Sequence, residues 1–436
     1  MVDIYPFKGI RYNLDKTNND MSLVATEPYD KISPDAQNKY YEQSPYNIVR
    51  VILGKDEPGD TESSNKYTRA AGYFSQWKQE NILIQEQEAS VYLYEQIYSF
   101  EGSETKSRKA FISMVKIEES PDVIRPHENT LSGPKADRLK LLQATGANLE
   151  QIFVLYSDEN NTLQNKLQTE YKTPALFSYK DDFEVIHKFW QITDTDLISY
   201  VQKEMKNKDL FIADGHHRYE TYINYKREQK AKHPEANEQQ AFNFCMMTFI
   251  AMEDPGLTIL PTHRLIKNLE KFDKDDFLAE ISNNFSITKY MDEAKFVTDI
   301  KANKHSFGLI INGEENLFLI TLKSEALIDK YIDPALKSKS LDVSILHTLI
   351  LDTILGIDKD KLAQQTNVFY KRSAQGTIRE VKNNNYQLGF IINSTEINEV
   401  KEVARAGERM PQKSTDFFPK IASGLVIANI SAGEVV

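Results

Sequence analysis

The chain has 436 residues, of which 40% are hydrophobic and 11% aromatic, so it can fill the cores of two or three globular domains. Its formal net charge is −11 at pH 7, and no dense block of Lys and Arg appears, which argues against sequence-independent binding to DNA or RNA. Asp3 and Pro6 stand where a signal peptide needs an apolar stretch, and no apolar run is long enough to cross a bilayer. The single cysteine, Cys245, excludes an internal disulfide and is predicted to be a core residue. We therefore expect a cytoplasmic protein with no nucleic-acid and no membrane partner.

The N-terminal part of the chain predicts short strands, one helix and a hairpin. Residues 4–7 and 47–53 are rich in β-formers, and the apolar spacing of residues 67–81 predicts a helix with its aromatic side chains in the core. Residues 90–98 and 111–117 predict two strands joined by a charged loop as a hairpin.

The middle of the chain alternates strands with helices. Residues 134–146 predict a helix that stops at a glycine, residues 152–156 a strand, and residues 194–207 a second helix. A short buried strand over residues 208–213 precedes an Asp-Gly turn, and a helical pattern resumes at Tyr219. Residues 242–252 predict an apolar strand that ends at the turn Asp254-Pro255-Gly256. This alternation is typical of a mixed α/β protein.

The last third of the chain predicts a further α+β region. Residues 307–311 and 316–322 flank an Asn-Gly turn, which predicts a hairpin. Residues 341–355 predict a buried apolar helix, residues 386–392 a strand and residues 397–406 a helix.

One short motif carries the strongest chemical signal: Asp214, Gly215, His216, His217 and Arg218 follow one another between a predicted strand and a predicted helix. The first N–H groups of a helix have no partner within the helix, and the helix dipole favours negative charge there. Arg218 adds a planar fork for phosphate oxygens, and the two imidazoles add donors that titrate near physiological pH. The motif predicts phosphate binding.

Two further motifs place a histidine beside an arginine. Arg125 and His127 stand in one of them, and His263 and Arg264 in the other. We expect these loops to converge with the Asp-Gly-His-His-Arg motif on one polyanion, the alternative being that each pair is a solvated loop feature. Adjacent histidines and a lone cysteine make a zinc site a poor match.

Two carboxylates are candidates for a role in catalysis. Glu128 is predicted to be a general base that takes the proton of a hydroxyl as its oxygen attacks phosphorus, against the alternative of a capping or surface carboxylate. Asp214 is predicted either to cap the following helix or to act in catalysis, holding Mg²⁺ or orienting the substrate hydroxyl.

A loop near the C-terminus adds polar residues that suit phosphate or carboxylate contacts. Lys413, Ser414 and Thr415 follow a sequence that nearly matches a P-loop, but Gln412 replaces the second glycine and Pro419 follows closely. We reject the P-loop assignment and retain the three residues as a predicted substrate-binding loop, with an ordinary polar surface loop as the alternative.

These motifs together resemble those of a widespread bacterial family of formerly unknown function, whose members carry RPHE, ADGHHRYET, PTHR and PQKST elements. The resemblance extends over nearly the whole length and includes the segments at residues 27–33, 135–138, 252–257 and 410–420.

More distantly, the order of the motifs resembles that of free-serine kinase, which is built on the ParB/sulfiredoxin-type fold. The resemblance implies an α+β (mixed α/β) fold with a ParB/sulfiredoxin-like nucleotide-binding core at residues 111–265. That core would lie between an N-terminal region (1–110), an insertion (266–330) and a C-terminal region (331–436). It also implies Glu128 as the base, and Asp214 to Arg218 at the nucleotide phosphates.

The leading hypothesis is a kinase that uses ATP or ADP with Mg²⁺ to phosphorylate the hydroxyl of free L-serine. In this hypothesis Arg125, His127 and Arg264 join the nucleotide-binding residues, and His263 joins the serine-binding loop. A nucleotide-binding regulatory protein without catalysis is the alternative, and a hydrolase ranks third. The sequence leaves the oligomeric state open.

Overall fold

A computed structural model of the chain describes residues 2–128 and 132–436, without the side chains of residues 132–134. The chain forms two compact units. Unit 1 consists of Met1–Pro126, Thr130–Thr258 and Pro419–Val436, and unit 2 consists of His127–Asn129 and Ile259–Phe418. The four regions expected from the sequence remain a prediction about domain organisation.

The strands of the described residues are numbered in chain order. They are β1 (Ile4–Tyr5), β2 (Ile10–Tyr12), β3 (Leu83–Gln85), β4 (Val91–Tyr98), β5 (Lys106–Lys116), β6 (Ile124–Arg125), β7 (Ala147–Asn148), β8 (Ile152–Tyr156), β9 (Phe177–Lys180), β10 (Ile186–Ile192), β11 (Leu210–Asp214), β12 (Phe244–Ala251), β13 (Thr258–Leu260), β14 (His263–Ile266), β15 (Phe285–Tyr290), β16 (Ser306–Ile311), β17 (Leu317–Leu322), β18 (Val368–Lys371), β19 (Leu388–Ile391), β20 (Asp416–Phe418) and β21 (Ala428–Asn429).

The α-helices of the described residues are also numbered along the chain. They are α1 (Pro34–Gln43), α2 (Val49–Ile52), α3 (Lys66–Gln79), α4 (Ser132–Thr145), α5 (Thr162–Leu167), α6 (Thr195–Met205), α7 (His216–Lys232), α8 (Lys274–Asn284), α9 (Glu293–Ala302), α10 (Ile328–Tyr331), α11 (Asp342–Ile345), α12 (Lys359–Gln364), α13 (Ala374–Lys382) and α14 (Ile397–Arg405). A π-helix, Leu346–Asp352, continues directly from α11.

Unit 1 is built on a large mixed sheet with the strand order β6-β11-β8-β12-β5-β4-β10-β9, and β1 pairs with β5. The pairs β11–β6 and β12–β8 are parallel, and β4–β5 is the antiparallel hairpin that the sequence predicts. Every residue of β12 is buried, including Cys245. The mixed α/β class predicted from the sequence is confirmed.

Unit 2 is built on an antiparallel sheet with the strand order β15-β17-β16-β19-β14-β18. Successive side chains of a strand point to opposite faces, so the two faces bury different clusters. Ile266 of β14 packs with Leu346 and Leu349 of the π-helix, whereas its neighbour Leu265 packs with Ile378 of α13 on the other face. We call the side of the sheet that carries Ile266 the π-helix face.

The prediction of a strand at residues 47–53 is wrong, because α2 occupies Val49–Ile52. Asn47 precedes the N-cap residue Ile48, and its Oδ1 accepts a hydrogen bond from the N–H of Val49, the first residue of the helix, at 3.0 Å. Residues Ile48, Val49, Val51 and Ile52 are all completely buried. Burial on every side favours the compact helical turn and overrides the strand preference of β-branched residues.

Most other predicted elements are present with shifted ends. The hairpin at residues 307–322 is β16–β17, and its turn glycine, Gly313, has a φ of +80°. The predicted apolar helix at 341–355 is α11 with the π-helix. Among the described residues, no helix combines the length and apolar character that a membrane crossing requires.

Candidate functional site

In unit 1, a strand, a glycine and a helix meet as the Asp-Gly-His-His-Arg motif predicts. Strand β11 ends at Asp214, Gly215 has a φ of +92°, and α7 begins at His216, three residues before the predicted start. A Cβ atom on Gly215 would lie 3.1 Å from the Arg218 guanidinium, so both the backbone angle and the close contact favour glycine. The first N–H groups of this 17-residue helix point out of its N-terminus and form an anion-attracting end.

The Asp214 carboxylate lies between two cations. Its Oδ1 accepts from Lys420 Nζ at 3.0 Å, and its Oδ2 accepts from Arg218 Nη2 at 2.8 Å. Burial opposes ionisation of this carboxyl, but Lys420, Arg218 and then Lys31 outweigh it and hold its pKa well below the usual range. The capping alternative is not what the geometry shows, because the N-cap is Gly215 and no side chain caps this helix.

Arg218 is buried and supports the turn from inside. Its Nη1 donates to the carbonyl oxygen of Gln151 at 2.6 Å, while its Nη2 holds Asp214. Burial lowers the pKa of Arg218, but Glu150 and Asp214 more than offset burial, so the pKa lies above its usual value. The Arg218 side chain therefore stays charged and links α7 to the end of β11 and to Gln151, the residue just before β8.

Next to Arg218 lies the buried carboxylate of Glu150 with its hydrogen-bond and ion-pair partners. Glu150, which is 4% exposed, accepts from the N–H of Tyr29 at 3.1 Å and from Ser423 Oγ at 2.9 Å. Arg138 Nη1 is 3.8 Å from Glu150 Oε2, and its guanidinium lies 3.9 Å from the ring centre of Tyr29. A small cavity of about 30 Å³ beside this group is lined by Arg138, Glu150 and Arg218 together with apolar residues, and it has room for little more than a water molecule.

The remaining predicted residues of unit 1 have distinct environments. His216 is buried and His217 is half-buried in the first turn of α7. Arg125 lies in β6, with its Nη2 atom 3.8 Å from Asp209 Oδ1.

The surroundings of Asp214 do not fit a resident magnesium ion. Both carboxylate oxygens already accept from cations, and Lys31 adds a third positive charge. A divalent cation prefers carboxylate and water oxygens without competing positive groups. Among the described residues, no group of three or more His, Cys, Asp or Glu side chains could hold a metal ion. The arrangement favours an anion beside this turn.

In unit 2, His127 and Glu128 meet the segment at residues 410–415. Met410 forms a parallel β-bridge with Glu128, and its N–H donates to the carbonyl oxygen of His127 at 2.7 Å. Thr415 Oγ1 lies 3.0 Å from His127 Nε2 and 3.4 Å from Glu128 Oε1. Asn129 and Thr130 of the same motif lie outside the described residues. The half-buried Glu128 carboxylate is thus beside a hydroxyl and an imidazole of its own unit.

The loop itself is held from within. Ser414 is buried, and its Oγ donates to the carbonyl oxygen of Pro411 at 2.6 Å. Lys413 is exposed and has a φ of +57°. Strand β20, rather than a helix, follows the loop, which agrees with rejection of the P-loop assignment.

His263 and Arg264 are adjacent in sequence but lie on opposite faces of β14. His263 accepts from the N–H of Ile392 through Nδ1 at 3.3 Å. Arg264 lies on the π-helix face, where its Nε donates to His347 Nε2 at 3.3 Å and its Nη2 donates to the Lys413 carbonyl oxygen at 3.1 Å. Strand alternation therefore separates the two side chains that the sequence expects to find at one ligand.

Burial dominates the ionisation of this group. It lowers the pKa of Arg264 to about 10, with Tyr370 and Glu128 acting in the opposite direction. It lowers the pKa of His263 to about 3, with Arg264 and Lys301 adding to the shift. It also lowers the pKa of His347 well below its usual value, with Arg264 adding to the shift. Both histidines are neutral at pH 7, so His347 can accept the Arg264 hydrogen bond.

Residues 4–344 match the sequence pattern of the family described as protein of unknown function, DUF1015. The chain belongs to this family. The resemblance that the motifs predict is confirmed by this match to the DUF1015 family. Among curated proteins, none has a sequence that matches this DUF1015 chain.

Solved structures similar to this DUF1015 chain include a free serine kinase in complex with AMP. The two sequences are 12% identical, the TM-score is 0.33, and the match covers 68% of this chain and 84% of that chain. SbnI from Staphylococcus aureus, with a C-terminal truncation, has 10% identity and a TM-score of 0.36, covering 74% of this chain and 86% of that chain. A conserved hypothetical protein from Pyrococcus furiosus has 16% identity and a TM-score of 0.33, covering 69% and 89%. Identities and TM-scores this low leave the activity of the DUF1015 chain unspecified.

Several residues that build these environments are missed by reasoning from motifs. In unit 1 these are Lys31, Arg138, Glu150 and Lys420. Lys31 and Arg138 stand in segments that contribute to the family resemblance, and Lys420 ends another, so a signal was present without an assigned role. Glu150 has no such signal, because a glutamate at a strand start looks like a surface residue until its burial is known.

Proposed function

We propose that this protein is a kinase that transfers a phosphoryl group from ATP or ADP to the hydroxyl of free L-serine, giving O-phosphoserine. The observation that carries the proposal is the cluster at the start of α7, where Lys420, Arg218 and Lys31 act on the single carboxylate of Asp214. Lys31 also pairs with Asp30, so ion pairs hold the turn in shape while the first N–H groups of α7, which have no partner within the helix, attract an anion. That combination favours a phosphate group as the ligand.

The phosphate-binding role is assigned to unit 1. The first N–H groups of α7 supply donors for phosphate oxygens, and His217 is half-buried in the first turn of this helix. Arg218 is already engaged with Asp214 and the Gln151 carbonyl, so it holds the turn in shape rather than reaching for the nucleotide. Magnesium would arrive bound to the nucleotide phosphates, as is usual for this ion.

The general-base role is assigned to Glu128. The serine oxygen attacks the terminal phosphorus of the nucleotide, the bond to the leaving phosphate oxygen breaks, and the hydroxyl proton passes to the Glu128 carboxylate. Thr415 and His127, which lie beside Glu128, keep this carboxylate oriented. Such a step asks mainly for positioning and charge stabilisation.

The activity is tested by incubating the purified protein with L-serine, Mg²⁺ and either ATP or ADP, and measuring O-phosphoserine by mass spectrometry. We expect Glu128→Gln to lose at least about 100-fold in turnover. Glu402→Gln is the matched control, because Glu402 is an exposed residue of α14. Full activity of Glu128→Gln would remove the assigned base.

Nucleotide binding is tested separately by titration calorimetry. We expect Lys420→Met to weaken ADP binding about tenfold, because it removes a cation that pairs with Asp214 and leaves this carboxylate to repel the phosphates. Lys232→Met, at the exposed C-terminal end of α7, should leave the affinity unchanged. Tight nucleotide binding without product from any acceptor would favour the regulatory alternative over the kinase.

A further inference from the structure

The π-helix face of unit 2 carries a polar group that the motifs did not identify. Arg264 and Tyr370 are direct cross-strand partners in β14 and β18, and the Arg264 guanidinium lies 5.6 Å from the Tyr370 ring centre. Thr262 stands just before β14, and its carbonyl oxygen accepts from Arg264 Nη1. Arg264 and Tyr370 therefore adjoin one another on the π-helix face, and Thr262 lies two positions before Arg264 in the chain.

The guanidinium in this group is a buried charge with neutral partners. Arg264 is completely buried, and it donates to two carbonyl oxygens and to the His347 imidazole. In the part of the chain that the structure describes, no carboxylate lies within ion-pair distance of it. A buried cation without a carboxylate partner is strongly stabilised by an anion at hydrogen-bonding distance.

The hydroxyl groups of Thr262 and Tyr370 point to the same kind of ligand. Thr262 is 8% exposed, and Thr262 Oγ1 and the Tyr370 hydroxyl are both buried, with no hydrogen-bond partner among the described residues. A buried hydroxyl without a partner is unfavourable, so each would gain from an acceptor. One cation and two free donors together match the needs of a single anionic group.

We propose that Arg264, Thr262 and Tyr370 bind the carboxylate of the acceptor substrate, which assigns that substrate to the small hydroxyl-bearing carboxylic acids. This inference rests on the proposed kinase function and reassigns Arg264 from the nucleotide to the acceptor. Since the guanidinium is fully buried, the ligand takes the place of the Lys413 carbonyl, which belongs to the loop at residues 411–415.

Charge favours a carboxylate over a nucleotide phosphate at this position. A nucleotide carries several negative charges, whereas this group offers one buried cation and two neutral donors. Glu128 is near enough for its charge to raise the pKa of both Arg264 and Tyr370. The Glu128 carboxylate would repel a polyphosphate bound at Arg264. The same carboxylate is well placed to take the proton of the hydroxyl of an acceptor bound there.

The first test compares stability with binding in variants that keep side-chain shape. Tyr370→Phe and Thr262→Val each remove a hydroxyl that has no protein partner among the described residues. We expect their denaturation midpoints to equal or exceed that of the wild type, and their binding of L-serine to be about tenfold weaker. Tyr290→Phe in the same unit is the matched control, because its hydroxyl donates to Asp299 at 2.6 Å. That variant should lose stability and keep its affinity.

The second test identifies the recognised group by calorimetry with three probes: L-serine, D-glycerate and ethanolamine. D-glycerate keeps the carboxylate and hydroxyl, and ethanolamine lacks the carboxylate. We expect the first two to bind and ethanolamine to bind at least about 100-fold more weakly, with and without AMP. Equal binding of ethanolamine, no heat with either carboxylate, or unchanged serine affinity in the Tyr370→Phe, Thr262→Val double variant would overturn the inference.

The two proposals fail in different ways. Carboxylate binding that the double variant loses, without O-phosphoserine formation, supports the carboxylate site and refutes the kinase. Phosphorylation of ethanolamine as readily as L-serine refutes the carboxylate site and leaves the kinase intact.

Discussion

Asp214 shows how the ionisation of one residue depends on partners that are distant in the sequence. Its carboxylate accepts from Arg218, four positions along, and from Lys420, 206 positions away. The motif contains the first of these partners and not the second. A carboxylate that the sequence presents as a helix cap or metal ligand is therefore a half-buried anion among cations.

Replacing Arg218 should destabilise the protein. We expect Arg218→Ala to lower the free energy of unfolding by about 3 kcal/mol, because it leaves the Asp214 and Glu150 carboxylates with fewer compensating charges in a buried place. Chemical denaturation of the variant measures this change.

Arg227→Ala serves as the control from the same helix. The Arg227 side chain is 60% exposed and pairs with Glu119 at the surface, so its removal should change stability little. Equal effects of the two substitutions would contradict the bracing role of Arg218.

His263 and His347 should make the protein less stable in mild acid. Burial holds the folded-state pKa of His263 near 3 and that of His347 well below its usual value, whereas the unfolded value is about 6.5. Above pH 6.5 both states are neutral and nothing is lost. As the pH falls below 6.5 the unfolded state alone takes up protons, so stability falls by about 1.4 kcal/mol per pH unit for each histidine.

Denaturation midpoints measured between pH 7.5 and 5.5 check this slope. His347→Gln keeps an acceptor for Arg264 Nε and removes one titrating group. The loss of stability per pH unit should therefore be smaller by about 1.4 kcal/mol than in the wild type. A slope identical to that of the wild type would show that His347 is protonated in the folded state.

At the scale of elements, the turn between β11 and α7 depends on Gly215. Gly215→Ala places a Cβ at a φ of +92° and 3.1 Å from a guanidinium that is held on two sides. We expect it to cost about 2 to 3 kcal/mol and to weaken ADP binding. Gly59→Ala isolates the backbone effect, since Gly59 has a φ of +95° with nothing near its Cβ position. It should cost no more than about 1 kcal/mol.

The elements also show where local reasoning succeeds. Strand β8 has the predicted bounds, and α6 begins after the cap Asp194, because an apolar run and a capping residue act over a few neighbours. The helix α2 was missed because its sequence has strand propensity and its burial comes from the rest of unit 1. The π-helix that brings His347 to Arg264 has no sequence signal that distinguishes it from a regular apolar helix.

At the scale of the whole molecule, unit 1 is completed by the end of the chain. Strand β21 pairs with β7, Ile427 bridges to Ile10, and Leu425 and Val426 are completely buried. We expect deletion of residues 419–436 to abolish the cooperative unfolding of unit 1, because it removes core side chains together with Lys420 and Ser423. The chain has two tryptophans, Trp77 and Trp190, and both lie in unit 1, so tryptophan fluorescence reports on this unit.

Deletion of residues 435 and 436 alone is the control for this truncation. Val435 is 63% exposed, and the core residues of the segment remain in place. A native fluorescence transition in the longer deletion would show that unit 1 folds without its last segment.

Reasoning from the sequence predicts correctly the mixed α/β class, most strands and helices, and the strand-glycine-helix turn at Asp214 to Arg218. Periodicity, capping and glycine chemistry act between residues a few positions apart, so they are visible in the sequence. The tertiary structure alone decided that Lys420 neutralises Asp214, that Glu150 is buried, and that Arg264 and His263 face opposite sides of β14. Burial and ionic partnership depend on which distant segments pack together, and no local pattern encodes that choice.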